Sequence, residues 1–159
     1  MKNLRFAVIG TGFWANYQIA GWHELDGIEL VALYNRTKSK AEILAHQFNV
    51  PAVYDNVEKL IDNEKLDFVD IITDVNTHAP LTELAARKGI AVICQKPMAP
   101  SLSIAKHILD VCNAQKVPLF IHENFRWQSP IRKTAKNQII GVSKRRFNRH
   151  FASISLLPH

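Results

Sequence analysis

Leu4-Arg5-Phe6-Ala7-Val8-Ile9-Gly10-Thr11-Gly12-Phe13-Trp14-Ala15 joins a short β-rich run to a segment of helical spacing through a Gly-x-Gly-x-x-Ala turn. Phe6, Val8 and Ile9 make the run, and Asn16, Tyr17, Gln18, Ile19, Ala20 and Trp22 continue at helical period. Gly10 can make the tight turn, Gly12 leaves room for a pyrophosphate, and Ala15 is small enough for the helix to pack closely on the strand. Phosphates would lie on the N–H groups at the helix N-terminus, where the helix dipole favours negative charge, with Thr11, Phe13 and Trp14 in the same turn. Alone the motif is weak, because glycines also punctuate ordinary loops. Here a strand precedes it, a helix follows, and a second strand ends in a polar cluster about twenty residues on.

Working outward, apolar runs alternate with segments of helical spacing, as in a parallel sheet with crossover helices. Strands are expected at 4–9, 28–34, 52–54, 68–72, 90–94 and 118–122. Helices are expected from Phe13 to Leu25, Ser39 to Phe48, Val57 to Asn63, Thr77 to Lys88 and Ser101 to Gln115. Thr37 or Ser39 can cap the second helix, Asn76 or Thr77 the fourth and Ser101 the fifth, and Gly89 closes the fourth. Phe68-Val69-Asp70-Ile71-Ile72 and Ile90-Ala91-Val92-Ile93-Cys94 are nearly continuous in apolar residues, as strands covered on both faces are. The fold class is therefore α/β, a doubly wound parallel sheet. After residue 123 the pattern weakens to a short helix near Trp127 and one strand from Phe147 to Leu157. We divide the chain into a nucleotide-binding domain, 1–123, and the beginning of a second α/β domain, 124–159.

At 159 residues, 47% hydrophobic and 21% charged, the chain can bury one core of ordinary size. No apolar run reaches the ~20 residues of a membrane span, and Lys2 and Arg5 lead into a strand rather than a signal-peptide core. A cytoplasmic location without a membrane partner is the expectation. Cys94 and Cys112 lack Cys-x-x-Cys spacing and read as buried thiols, and no metal site is expected. The net charge of +6 is concentrated late in the chain, at Lys133, Lys136, Lys144, Arg145, Arg146 and Arg149. No recognition helix or interleaved aromatic platform accompanies it, so a solvated face or a site for an acidic ligand is preferred to nucleic-acid binding.

The chemistry gathers at the carboxyl ends of the strands, where open α/β sheets bind ligands. After the second strand, Asn35-Arg36-Thr37-Lys38 replaces the acid that would hold the ribose hydroxyls of NAD. Hydrogen bonds and positive charge there suit a 2′-phosphate, favouring NADP over NAD, although Arg36 and Lys38 could simply be exposed. After the fourth strand, Thr73 and Asn76 could line the cofactor, and His78 opens the next helix, as a structural residue or a contact. After the fifth, Gln95-Lys96-Pro97-Met98 sets a lysine at the same edge, able to orient a hydroxyl or share in proton transfer, or to stand as a surface lysine. The Lys-Pro bond can be cis or trans. After the sixth, Asn124 and Arg126 could meet a substrate hydroxyl or carboxylate, with Trp127 as an apolar wall; His122 and Glu123 alone make no metal site.

Taken together, Ala7-Val8-Ile9-Gly10-Thr11-Gly12, Cys94-Gln95-Lys96-Pro97-Met98-Ala99 and His122-Glu123-Asn124-Phe125-Arg126-Trp127 resemble, in order and spacing, the glucose–fructose oxidoreductase / inositol dehydrogenase family over residues 1 to about 140. The resemblance implies an NAD(P)-binding Rossmann domain, a larger C-terminal domain with substrate contacts and often the oligomer interface, and Lys96 as the active-site lysine. The expected cofactor set is then Gly10 to Trp14, Asn35 to Lys38, Thr73, Asn76, His78, Gln95, Lys96 and Asn124, and the substrate set Lys96, Asn124, Arg126 and Trp127. Gln95 stands where the family usually has glutamate, a variation it also shows. Family members are about twice as long and carry a Gly-rich segment with a downstream Asp and His, which nothing here matches; the chain reads as a natural truncation, a frameshifted reading or a cloned fragment. Two functions stay open: a sugar or polyol dehydrogenase using NADP or NAD, and a nucleotide-binding chain without turnover. A strand at 147–157 lacking its partner sheet is expected to pair with another copy.

Overall fold

In the first strand, β1 (Leu4–Ile9), successive side chains point to opposite faces. Phe6 and Val8 join one buried cluster and Ala7 and Ile9 another, so this strand is covered on both sides. Val8 and Ile9 are fully buried, and a side chain of that size contributes about 1.5–3 kcal/mol when removed from water. A computed structural model describes residues 3–123. Asn124, Arg126, Trp127, the short helix and strand expected beyond residue 123, the basic cluster, the second-domain segment 124–159 and pairing through it lie outside the described residues.

The elements follow as α1 (Phe13–Trp22), β2 (Ile28–Tyr34), α2 (Lys38–Phe48), β3 (Ala52–Tyr54), α3 (Val57–Asn63), β4 (Phe68–Ile71), α4 (Val75–Arg87), β5 (Ala91–Gln95), α5 (Leu102–Gln115) and β6 (Leu119–His122). The strands pair in parallel in the order β3-β2-β1-β4-β5-β6. This is the doubly wound arrangement anticipated above, with its order reversing between β1 and β4. Ala15 and Ile19 of α1 and Ala41 and Leu44 of α2 cover one face with Phe6, Val8, Leu33 and Phe68. Leu60 of α3 and Ala85 of α4 cover the other with Ala7, Ile9, Val69 and Ile71. Ala86, Ile108, Cys112 and Val117 form a smaller cluster between α4 and α5.

Several boundaries differ from the expected ones for local reasons. The first helix ends at Trp22 rather than Leu25: Glu24 and Leu25 bond three residues back, to Gly21 O and Trp22 O, and the chain then turns at Gly27, φ +79°. The fourth helix begins two residues early, because its cap is neither Asn76 nor Thr77 but Asp74, whose carboxylate accepts the Asn76 N–H at 3.0 Å. Thr37 caps α2 by position but makes no side-chain capping bond. Ser101 caps α5 as expected, accepting the Ile104 N–H. Gly89, φ +73°, closes α4: its N–H donates to Ala86 O and that of Ile90 to Ala85 O. Both cysteines are free and buried, and burial pushes the Cys94 thiol up to about 12. Among the described residues no helix is long and apolar enough to cross a membrane.

Candidate functional site

The cleft lies above the carboxyl ends of β2, β1 and β4, at the reversal in strand order, with a volume of about 910 Å³. Its floor is the glycine turn. Gly10 adopts φ +105° and donates to Tyr34 O at 2.8 Å; a Cβ there would stand 2.8 Å from Ile72 O and Thr73 Cγ2. This glycine is demanded by the protein's own packing. Gly12 is different: its φ is −80°, and a Cβ built on it meets nothing within 4 Å. Neither conformation nor a neighbouring atom of the described protein requires a glycine there, so the open space suits a ligand brought against the backbone.

Thr11 supplies a second sign. Its side chain is buried at 7% exposure, and its Oγ1 has no hydrogen-bond partner among the described residues. An unmade bond on a buried hydroxyl costs about 1–3 kcal/mol, which a ligand oxygen at the turn would recover. The first N–H groups of α1 have no acceptor within the helix, and its N-terminus carries positive partial charge. A pyrophosphate fits this cradle on each count: backbone room, N–H donors and a waiting hydroxyl.

Asn35 ties the turn to the end of β2, accepting the Thr11 N–H at 3.4 Å and donating through Nδ2 to Thr37 O at 2.9 Å. Asn35, Arg36 and Thr37 line the cleft, as does Lys40, which the sequence reading had passed over. Lys38 is not among the lining residues; it pairs with Glu42 at 3.8 Å along α2. The positive charge at this end therefore comes from Arg36 and Lys40. Thr73, Asp74 and Thr77 form the opposite lip, and Val57, Leu81 and Leu84 contribute apolar surface from α3 and α4. Those apolar residues gave no sequence signal as site residues, because tertiary packing alone decides which helix face looks into a cleft.

The remaining candidates stand outside the lining. Phe13 and Trp14 are exposed at 73% and 60% and stack edgewise on each other, with Tyr17 against both. Asn76 is exposed, its Nδ2 donating to Asp74. His78 is buried, with Nδ1 3.0 Å from Pro97 O and Nε2 3.1 Å from Thr73 O, so its ring bridges the turn after β4 and the loop after β5. Lys96 is exposed directly after β5, and the Lys96–Pro97 bond is cis. Gln95 donates to Gln18 Oε1 at 3.1 Å and accepts the Lys96 N–H at 2.9 Å. Gln18 donates in turn to Asp70, a buried carboxylate that also accepts the Trp22 indole N–H at 2.7 Å. Burial raises the Asp70 pKa, while the bonds from Trp22 and Gln18 oppose the rise. Asp70 went unremarked as a site residue, although an acid in a central strand is itself a signal.

Residues 4–123 match the model of an oxidoreductase family with an NAD-binding Rossmann fold. D-apiose dehydrogenase of Paraburkholderia graminis is 38% identical over 136 residues, covering 86% of this chain and 36% of that protein. D-apiose dehydrogenase of Rhizobium rhizogenes is 40% identical over 131 residues, covering 82% and 38%. Among solved structures, an oxidoreductase from Agrobacterium radiobacter in complex with NAD+, L-tartaric acid and magnesium superposes with a TM-score of 0.80 at 37% identity, over 88% of this chain and 41% of that one. The chain thus spans about two fifths of the length of these relatives.

Proposed function

The chain belongs to the oxidoreductase family with the NAD-binding Rossmann fold, and from this premise we propose that it carries, over residues 1–123, the cofactor-binding domain of a sugar or polyol dehydrogenase. The observation that carries the reading is the pairing of Gly12, open to a ligand, with the orphaned buried hydroxyl of Thr11. Gly10, Thr11 and Gly12 would hold the pyrophosphate, and Thr73 and Thr77 would face it from the opposite lip. Arg36 and Lys40 would meet a 2′-phosphate, which favours NADP over NAD; a guanidinium can grip phosphate with two N–H groups. When bound, the nicotinamide supplies the hydride chemistry.

Lys96 would hold the reacting hydroxyl and accept or relay its proton at Nζ. The sugar class is suggested by the D-apiose dehydrogenases that the chain resembles. A second reading is cofactor binding without turnover. The two separate on a panel of aldoses and polyols, followed by the absorbance of reduced nicotinamide. Turnover that Lys96→Met lowers at least about a hundredfold, the scale of a lost general acid–base, supports the enzyme. Cofactor binding with no turnover on any member supports the second reading.

A further inference from the structure

Asp70 stands in the middle of β4, in register with Val8 of β1 and Ile93 of β5, and is fully buried. Its oxygens receive N–H groups only: Gln18 Nε2 at 2.9 and 2.7 Å, and Trp22 Nε1 at 2.7 Å. Both Asp70 oxygens accept from Gln18 Nε2, so the Gln18 amide turns its nitrogen inward and its oxygen outward. That oxygen accepts from Gln95 Nε2. Gln95 is thereby turned as well, leaving its own oxygen to accept the Lys96 N–H at 2.9 Å. Each group's polarity follows from the one before it, from the buried carboxyl group in β4, through α1, to the first residue after β5.

A satisfied buried network can serve only to specify a core. This one ends elsewhere, on the backbone of an exposed lysine at the carboxyl edge of the sheet. It also requires glutamine at position 95: a glutamate there has no N–H to offer Gln18. We propose that Asp70, acting through Gln18 and Gln95, is a positioning residue for Lys96, fixing the backbone from which that side chain is presented. The proposal rests on the reading of Lys96 given above.

The test uses the full chain, labelled with nitrogen-15, and compares amide hydrogen exchange at Lys96 with that at Val8 and Val69 in the core. Gln18→Leu severs the path and keeps the side-chain volume, whereas Trp22→Phe removes the other donor to Asp70 and leaves the path intact. Gln95→Leu removes both the link to Gln18 and the acceptor of the Lys96 N–H at a partly exposed site, should Gln18→Leu fail to fold. Severing is expected to speed exchange at Lys96 by about tenfold relative to the core amides, the scale of one hydrogen bond, with no such change in Trp22→Phe. With a sugar that the chain oxidises, kcat should fall while the cofactor KM holds. Lys96 exchange that is unchanged on severing, or that follows global stability alike in all variants, overturns the proposal. If the unmutated chain oxidises no sugar, the enzyme reading falls, and the exchange measurement still decides the positioning role.

Discussion

An alanine at Gly10 would place its Cβ 2.8 Å from Ile72 O at a φ of +105°, whereas one at Gly12 would meet nothing within 4 Å. The two glycines of one motif are thus kept for different reasons, and substitution separates them. Gly10→Ala should cost about 2 kcal/mol or more by chemical unfolding, since both the left-handed backbone and the carbonyl clash oppose it. Gly12→Ala should leave stability within about 1 kcal/mol, or raise it slightly by stiffening the unfolded chain, yet weaken NADPH binding. Equal losses of stability in the two variants would contradict this division. At this scale the motif itself was legible, because its spacing follows from the turn. Which basic residue faces the cleft was not: Lys38 and Lys40 lie two apart on α2, and only the helix's rotation against β2 puts Lys40 on the lining and Lys38 beside Glu42.

At the scale of elements, β4 shows both what patterning reveals and what it hides. Phe68, Val69 and Ile71 announce a buried strand, and the strand is there. Asp70 within it draws α1 across the sheet through Gln18 and Trp22, with Trp22 also packed on Phe6 and Phe68 at ring-centre distances of 5.2 and 5.6 Å. No periodicity could reveal that network, since its members lie on three elements brought together only by folding. It carries a pH signature. Burial raises the carboxyl's pKa in the folded chain, while in the unfolded chain it titrates near its ordinary value of about 3.9. Between those values the folded protein holds a proton that the unfolded chain has released, so this group's contribution to stability declines as pH rises through the window. The stability of the unmutated protein relative to Asp70→Asn should therefore fall with rising pH above about 4, the opposite of a salt-bridged acid. Urea unfolding of the two proteins across a pH series checks the sign, and a difference that grows in favour of Asp70 with pH would contradict it. Helix ends were legible where a cap has one candidate, as at Ser101 and Gly89. At the start of α4 the sequence points to Asn76 or Thr77, and the geometry of the β4 exit gives the place to Asp74 instead.

For the whole molecule, the alternation of apolar runs and helical segments announced the doubly wound sheet, because crossover connections between parallel strands leave few other arrangements. The position of the cleft follows from that topology: the sheet reverses order between β1 and β4, and Gly10, Ile72 and Thr73 meet there. What the pattern could not supply is the wall opposite the glycine turn, where Val57, Leu81 and Leu84 converge from distant parts of the chain. The central claim is that this cleft holds a phosphorylated nicotinamide dinucleotide. Calorimetric titration of the full chain with NADPH and with NADH, repeated on Arg36→Ala, tests it most directly. The account predicts tighter binding of NADPH, with Arg36→Ala weakening it by about tenfold or more and leaving NADH nearly unchanged, as loss of a charge-assisted phosphate contact requires. Absence of binding by either cofactor to the unmutated chain would contradict the account.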